Sequence, residues 1–142
     1  MPRTAIRTAT TPRVGNLMST EPVVIDAEAP VHEAELLLKS YRISGLPVVA
    51  DGAVVGVISQ TDLLNARSSE LIGAAWDRVK VRHLMTQPAV TVHVATTVQR
   101  AARLMLDGHY HRVVVVDEEG APVGVLTSTD LLRAILLDED GG

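Results

Sequence analysis

The sequence predicts an α/β (α+β) protein made of two repeats, each with the order β-α-β-β-α, which pack through their sheets about a pseudo-twofold axis. The strongest indication is that GVISQTDLL, at residues 56–64, returns as GVLTSTDLL at residues 124–132. The repetition extends upstream, because VGNLM at residues 14–18 corresponds to VRHLM at residues 81–85. Hydrophobic residues form 46% of the 142-residue chain but aromatic residues only 2%, so a core of Val, Leu, Ile and Ala is expected.

The first strand and the first helix of each repeat follow a proline. After Pro22 and Pro88 come the β-branched runs Val23-Val24-Ile25 and Val90-Thr91-Val92, which are typical of short strands. Apolar residues then recur at helical spacing, which predicts one amphipathic helix per repeat. The residues with this spacing are Val31, Ala34, Leu38 and Tyr41 in the first repeat, and Val98, Ala101 and Met105 in the second.

A strand-turn-strand segment and a second helix complete each repeat. Residues 46–49 and 113–116 are almost wholly apolar, so they are expected to form strands that are buried on both faces. The predicted hairpin turns are Asp51-Gly52 and Glu119-Gly120, and the return strands are residues 54–58 and 123–126. A helix is then expected to begin at Thr61 or Thr129, since threonine is a good N-cap residue.

The same pattern divides the chain into two repeats, a linker and two tails. Residues 14–66 are predicted to form the first repeat and residues 81–137 the second. The linker helix, residues 67–80, is expected to be capped at Ser68-Ser69 and to use Trp76 for packing. Residues 1–13 contain three Arg, four Thr and no acidic residue, which predicts a flexible tail, with a transit peptide as the alternative. Residues 138–142 predict an acidic, solvated tail.

Composition excludes several classes of function. The net charge of −4 gives no support to nucleic-acid binding. The absence of cysteine excludes a disulfide scaffold, thiol catalysis and a cysteine-ligated zinc site, and it fits a cytoplasmic location. No apolar run approaches the ~18 residues that a transmembrane helix requires. We therefore expect neither a nucleic acid nor a membrane among the partners.

The repeated pattern resembles the tandem cystathionine-β-synthase (CBS) domain pair, or Bateman module. The resemblance is carried by Leu-Met-(Ser/Thr) before each proline, by GLPVV at residues 45–49, and by a glycine–hydroxyl–aspartate motif written GVISQTD and GVLTSTD. Each copy of the motif follows a predicted hairpin and precedes a predicted helix, which makes the pair specific. The resemblance spans nearly the whole chain and implies a regulatory module that senses adenine nucleotides.

The aspartates of the two motifs are the principal candidate binding residues. Asp62 and Asp130 fall in the first turn of a helix, where a carboxylate stabilises the helix start by about 0.3–1 kcal/mol. A carboxylate also offers two coplanar oxygens to the cis-diol of a ribose, and hydroxyls with helix N-terminal N–H groups suit a phosphate. The resemblance implies that these aspartates hold the ribose, flanked by Ser59, Thr61, Thr127 and Thr129.

A second candidate is the pair His111-Arg112 at the start of the buried strand of repeat 2. It is similar to a His-Arg pair in the γ subunit of AMP-activated protein kinase, which contacts nucleotide phosphate, and an Arg fork matches phosphate geometry. An ion pair between Arg112 and Asp107 is the alternative, and both interpretations stay open. Metal binding by His109 and His111 is disfavoured because the sequence offers no third ligand.

The resemblance implies that each cleft between the repeats draws on both of them. The Asp62 cluster would face Val90, Tyr110, His111 and Arg112, whereas the Asp130 cluster would face Val23, Ile43 and Ser44. The apolar members would enclose the adenine. Only the first cleft has an Arg and a His directed at phosphate, so we expect unequal sites, the first favouring the more anionic ligand.

Three classes of function remain after this comparison. The leading one is a regulatory module that binds AMP, ADP or ATP, with S-adenosylmethionine, NAD or a cyclic dinucleotide as alternative ligands, and that signals to an unidentified effector protein. A structural dimerisation module without a nucleotide is the second. An enzyme is disfavoured, since no nucleophile with an acid–base partner is visible, and no catalytic residue, metal or cofactor is predicted. A homodimer is expected.

Overall fold

The computed structural model describes residues 12–141, with side chains for residues 12–136. Two compact units divide the chain. The Asp62 unit contains Pro22–Val90 and Glu118–Pro122, and the Asp130 unit contains Thr91–Asp117, Val123–Gly142 and the chain up to Glu21. The opening segment of each sequence repeat therefore belongs to the unit that holds the aspartate motif of the other repeat.

The elements follow one another in an order that repeats once. In chain order they are α1 (Val14–Leu17), β1 (Ser19–Thr20), β2 (Ile25–Asp26), α2 (Val31–Tyr41), β3 (Gly45–Ala50), β4 (Ala53–Ser59), α3 (Gln60–Arg67), α4 (Glu70–Ala74), a 3-10 turn (Trp76–Arg78), α5 (Val81–Leu84), β5 (Thr91–His93), α6 (Val98–Gly108), β6 (Arg112–Val116), β7 (Pro122–Thr127) and α7 (Ser128–Gly141). The predicted mixed α/β class is confirmed, as are the amphipathic helices α2 and α6.

The Asp62 unit contains a three-stranded sheet with the order β2-β3-β4. Strand β2 runs parallel to β3, and β3 runs antiparallel to β4 around the predicted turn. Asp51 and Gly52 have φ values of 53° and 82°, a conformation that favours glycine at the second position. The predicted hairpin is thus confirmed. The core of this unit combines Leu46 and Val48 of β3 with Leu38 of α2.

The Asp130 unit contains a four-stranded sheet with the order β1-β7-β6-β5. Strand β1 is antiparallel to β7, with Ser19 opposite Val125, and β5 is parallel to β6. The consecutive residues 113–115 of β6 are all buried. This burial agrees with the predicted strand that is covered on both faces, since alternate residues of a strand point to opposite sides.

The glycine of each repeated motif allows another segment of its own unit to approach closely. A Cβ at Gly124 would lie 2.5 Å from Met18 Sδ and 2.6 Å from the carbonyl oxygen of Ser19. Ser19 belongs to β1, which pairs with β7. A Cβ at Gly56 would lie 2.8 Å from the carbonyl oxygen of Thr86. In that unit Thr86 pairs with Val57 through two backbone hydrogen bonds of 2.8 and 3.0 Å. Any side chain at either glycine would push the paired segment away.

Some boundaries differ from the sequence-based expectation. The strands predicted after Pro22 and Pro88 are β2 and β5, which begin later than the β-branched runs. Pairing starts only at Ile25, which lies opposite Val48, and at Thr91, which lies opposite Val114. Residues 1–11 and 142 of the predicted tails lie outside the described residues. The backbone of residues 138–141 continues α7, and their side chains also lie outside the description.

The linker packs against helices α2 and α3 of the Asp62 unit. It forms α4 and a 3-10 turn in place of one continuous helix, with Ser69 as N-cap as expected. Trp76 is buried, and its Nε1 donates to Glu35 Oε1 at 2.9 Å. The Arg67 guanidinium lies 4.4 Å from the centre of the Trp76 ring and also donates to Glu35. The Trp76 side chain thus closes one side of the core.

Candidate functional site

Asp62 lies in a capping box at the start of α3. Ser59 has extended backbone and is the N-cap, and its Oγ accepts a hydrogen bond from the Asp62 N–H at 3.1 Å. Asp62 Oδ2 in turn accepts from the Ser59 N–H at 2.9 Å. These reciprocal bonds satisfy two backbone donors that the first turn of a helix leaves unpaired, and they fix the direction of the carboxylate.

Asp130 repeats the same geometry at the start of α7. Thr127 Oγ1 accepts from the Asp130 N–H at 3.1 Å, and Asp130 Oδ2 accepts from the Thr127 N–H at 2.9 Å. Asp130 is only 7% exposed. Both carboxylates therefore lie where the positive end of a helix dipole stabilises negative charge.

The helices begin at Gln60 and Ser128, and the predicted N-caps Thr61 and Thr129 are wrong by two residues. The caps are Ser59 and Thr127, because only an oxygen three residues before the aspartate reaches its backbone N–H. Thr61 and Thr129 are exposed in the first turn of their helices. Their hydroxyls thus lie beside the helix N-termini without serving as the caps.

The second oxygen of each carboxylate has a different neighbour in the two units. Thr86 Oγ1 donates to Asp62 Oδ1 at 3.2 Å and lies 3.5 Å from Oδ2. Asp130 Oδ1 lies 3.6 Å from Arg133 Nη1, an ion pair along one helix. A carboxylate has about four acceptor positions, so neither aspartate is saturated by these partners. Sequence reasoning missed Thr86 as a site residue, although it belongs to the repeated Leu-Met-(Ser/Thr) pattern.

The Asp62 unit brings two more of the predicted residues to the start of α3. The Gln60 N–H donates to the Ser44 carbonyl oxygen at 3.0 Å, and Gln60 Nε2 donates to the Ile43 carbonyl oxygen at 3.4 Å. Val23 instead packs against the core of the unit. Val90 is half-buried just before β5.

The Asp130 unit places Tyr110 and His111, but not Arg112, around a groove next to α7. The Ser128 N–H donates to the His111 carbonyl oxygen at 2.9 Å, which ties the start of β6 to the start of α7. The groove has a volume of about 380 Å³ and is lined by Ala102, Met105, Leu106, His109, Tyr110, His111, Ser128 and Leu131. Arg112 is exposed, and no ion pair among the described residues joins it to Asp107.

The predicted grouping of Tyr110, His111 and Arg112 with Asp62 joins residues of different units and stays a prediction. The grouping of Val23, Ile43 and Ser44 with Asp130 also joins residues of different units and stays a prediction. Within residues 12–136, no group of three histidine or acidic side chains could hold a metal ion. None of the helices in the described part of the chain has the length and apolar character to cross a membrane.

Two α/β units, each with a capped helix that presents a fixed carboxylate, place the protein in the class of tandem α/β repeats that the sequence resembles. The chain belongs to the CBS domain family, which it matches at residues 14–69 and 81–137. This result confirms the resemblance that was drawn from the two glycine–hydroxyl–aspartate motifs.

Solved structures of the same class are similar over almost the whole chain. The CBS-pair protein CBSX2 from Arabidopsis thaliana is 31% identical with a TM-score of 0.80, and the match covers 92% of this chain and 99% of CBSX2. CBSX2 has also been solved in complex with AMP, at 33% identity and a TM-score of 0.77, covering 89% and 98% of the two chains. The CBS domain pair of protein MJ0100, solved with 5′-methylthioadenosine and S-adenosylmethionine, is 26% identical with a TM-score of 0.73, covering 90% and 98%.

Curated relatives include much longer proteins. Inosine-5′-monophosphate dehydrogenase from Korarchaeum cryptofilum is 29% identical over 77% of this chain, but the match covers only 21% of that enzyme. In the next two relatives the match covers 39% and 58% of their length. The chain thus spans between about a fifth and three fifths of these proteins, and the dehydrogenase match is confined to a small part of the enzyme.

Loss of the cap hydroxyl should weaken the fold at α3 without any ligand. We expect Ser59→Ala to lower the free energy of unfolding by about 1 kcal/mol, because the Asp62 N–H loses its acceptor. Thr61→Ala is the matched control, since Thr61 is exposed and does not cap the helix, and it should change stability by less than about 0.5 kcal/mol. Urea denaturation measures both, and equal effects of the two variants would contradict the assignment of the cap.

Proposed function

We propose that the protein is a ligand-sensing regulatory module that binds an adenine nucleotide of the AMP, ADP or ATP class through Asp62 and Asp130. The observation that carries the proposal is the repeated capping box, which fixes both carboxylates at helix N-termini and leaves them acceptor capacity. A surface carboxylate without such support would have to be ordered when the ligand binds. In this protein the capping boxes already order both carboxylates before a ligand binds.

The chemistry of each cluster suits a ribose with an adjoining phosphate. The two ribose hydroxyls would donate to the carboxylate oxygens, which keep acceptor positions beyond those used by the cap. The exposed hydroxyls of Thr61 and Thr129 and the helix N-termini would favour a phosphate. His111 and Arg112 would contribute hydrogen-bond donors, with the bidentate, positively charged fork of Arg112 matched to phosphate oxygens.

The similar proteins support an adenosyl ligand. CBSX2 has been solved with AMP, and the MJ0100 domain pair with 5′-methylthioadenosine and S-adenosylmethionine. These three ligands share adenosine and differ in what is attached to its 5′ carbon. The adenosyl group is therefore the element we carry to this chain, with the nucleotide class preferred over S-adenosylmethionine, NAD or a cyclic dinucleotide because of Arg112 and His111.

The proposed role is regulatory rather than catalytic. A ligand can change a partner's response only through its different affinity for two states of the module. We propose that nucleotide occupancy selects one such state and that an effector protein recognises it. Incubation with AMP, ADP and ATP should accordingly leave the nucleotides chemically unchanged, which chromatography of the mixture would show.

A thermal-shift panel tests the proposed function. AMP, ADP, ATP, NAD, S-adenosylmethionine and cyclic dinucleotides would be compared at matched concentrations with the wild-type protein. A ligand at a hundred times its dissociation constant should stabilise the protein by roughly 2.7 kcal/mol. We expect adenine mononucleotides to give the largest shift. If no member of the panel raised the unfolding temperature, the proposal would be overturned.

A second candidate role, dimerisation, is favoured by one apolar surface. The helices α6 and α7 of the Asp130 unit expose large aliphatic side chains: Leu106 is 75% exposed, Leu132 56%, Ile135 58% and Leu136 52%. The corresponding helices α2 and α3 of the Asp62 unit also expose Leu36, Tyr41 and Leu64, but they carry the ion pair between Arg67 and Glu35. We propose that the Asp130 helix face packs against a second copy of the chain, as part of the regulatory module rather than in place of it.

Charge placed on this face should dissociate the dimer. We expect Leu132→Glu to raise the dimer dissociation constant by about 10-fold to 150-fold, since burial of one leucine is worth about 1.5–3 kcal/mol. Leu71→Glu is the control, because Leu71 is 82% exposed on the linker helix α4 and outside this face. Sedimentation velocity over a concentration series would measure the effect. A monomeric wild type, or an unchanged Leu132→Glu dimer, would contradict it.

A further inference from the structure

Thr86 contacts the Asp62 carboxylate although 24 residues separate them in the chain. Its hydroxyl donates to Oδ1 at 3.2 Å and lies 3.5 Å from Oδ2, so it touches both oxygens that a ribose diol would use. The capping bond from the Ser59 N–H reaches only Oδ2. Thr86 is thus the one side chain among the described residues whose hydrogen bond reaches Oδ1.

Backbone hydrogen bonds to strand β4 hold Thr86 in place beside Asp62. Two hydrogen bonds of 2.8 and 3.0 Å join its N–H and carbonyl oxygen to those of Val57. The close approach at Gly56 brings the Thr86 carbonyl oxygen against the strand that leads into Ser59. The hydroxyl and the carboxylate therefore belong to two backbone segments that are paired with each other.

The counterpart in the Asp130 unit is different. Ser19 follows the Leu-Met pair as Thr86 does, and it pairs with Val125 of β7. Among the described residues, however, no hydrogen bond joins Ser19 to Asp130. Asp130 Oδ1 instead faces Arg133 at 3.6 Å, and the Arg133 side chain is 66% exposed. Because the Arg133 guanidinium is mostly in solvent, this ion pair constrains the geometry of the carboxylate weakly.

We infer that Thr86 is a positioning residue that orients the Asp62 carboxylate for the two hydroxyls of a ribose, and that the Asp130 carboxylate lacks an equivalent. The inference rests on the proposed function, because it concerns the same site. With two of its acceptor positions already used, Asp62 presents the remaining ones in a fixed plane. A ligand that keeps both ribose hydroxyls benefits from this orientation, and a ligand without them does not.

The test compares AMP with its 2′,3′-dideoxy analogue in the Asp130→Ala protein, where only the Asp62 site is intact. Thr86→Val removes the hydroxyl and keeps the branched shape, whereas Thr86→Ser keeps the hydroxyl. We expect Thr86→Val to weaken AMP binding about fivefold to tenfold and to leave the affinity for the dideoxy analogue unchanged. Thr86→Ser should restore most of the AMP affinity. A loss that is equal for both ligands, or no loss, would overturn the inference.

Failure of this inference can be distinguished from failure of the proposed function. If wild-type protein binds neither ligand, the proposed function is overturned and the role of Thr86 toward ribose falls with it. If wild-type protein binds AMP but Thr86→Val does not discriminate between the ligands, only the inference about Thr86 fails. Unfolding without ligand adds a check of the contact itself. Thr86→Val should lower the unfolding midpoint more in the wild-type background than in the Asp62→Ala background. Equal shifts in the two backgrounds would show that Thr86 does not interact with Asp62.

Discussion

Replacement of Gly124 by alanine is expected to lower the free energy of unfolding by about 1–3 kcal/mol, although alanine is usually tolerated in a strand. The added Cβ would lie 2.5 Å from Met18 Sδ and 2.6 Å from the Ser19 carbonyl oxygen. The thioether can rotate, but the carbonyl is part of the pairing between β1 and β7. Strand β1 would have to shift, and guanidinium denaturation followed by circular dichroism would measure the loss.

Gly45→Ala provides the control for this prediction. Gly45 also lies in a strand, but an alanine Cβ there would find its nearest atoms at 3.6 Å, an ordinary van der Waals contact. The control should be neutral or more stable by about 0.5–1 kcal/mol, since alanine loses less conformational entropy than glycine on folding. Gly56→Ala should behave as Gly124→Ala does, because its Cβ would approach the Thr86 carbonyl oxygen. Equal stability of the Gly124 and Gly45 variants would refute the close-approach explanation.

Removal of both aspartate side chains is expected to abolish measurable nucleotide binding. Hydrogen bonds to a charged group are worth about 1.5–3 kcal/mol, so each of Asp62→Ala and Asp130→Ala should weaken its own site about 10-fold to 150-fold. The double variant should show no heat of AMP binding in isothermal titration calorimetry at concentrations that saturate the wild type. Each variant also loses the hydrogen bond that the cap N–H donates to the carboxylate, so binding is measured well below the unfolding midpoint.

Asp26→Ala is the matched control for the loss of a carboxylate. Asp26 Oδ1 accepts a hydrogen bond from the Glu28 backbone N–H at 2.8 Å. Asp26→Ala therefore removes both a carboxylate and a local hydrogen bond, as the two test variants do. Asp26 is exposed and has no part in either capping box. Its variant should bind AMP as the wild type does. A comparable loss in all three variants would indicate that net charge, rather than the two clusters, governs binding.

The sequence predicts the features of this fold that depend on local pattern. The helix Val31–Tyr41 and the turn at Asp51-Gly52 follow from periodicity and turn chemistry, which act over a few residues. The wrong assignment of the helix N-caps has a local cause as well. Ser59 and Thr61 are both hydroxyl residues, and only the three-residue spacing from Ser59 to Asp62 identifies the capping box.

What the sequence does not predict depends on pairing between distant segments. The contact of Thr86 with Asp62 requires the chain after α5 to lie beside β4, and the bridge from Thr86 to Val57 makes it do so. No local pattern around Thr86 indicates this partner. The need for glycine at positions 56 and 124 has the same origin, since the atoms that exclude a side chain come from the opening segments of the other repeats.

The most direct test of the central claim is an NMR titration of the wild-type protein with AMP. We expect added ligand to shift the amide signals of Ser59, Asp62, Thr127 and Asp130, because their N–H groups form the two capping boxes around the carboxylates. The same titration with 2′,3′-dideoxy-AMP should move them much less. Saturable binding of AMP that left all four signals in place would contradict the account.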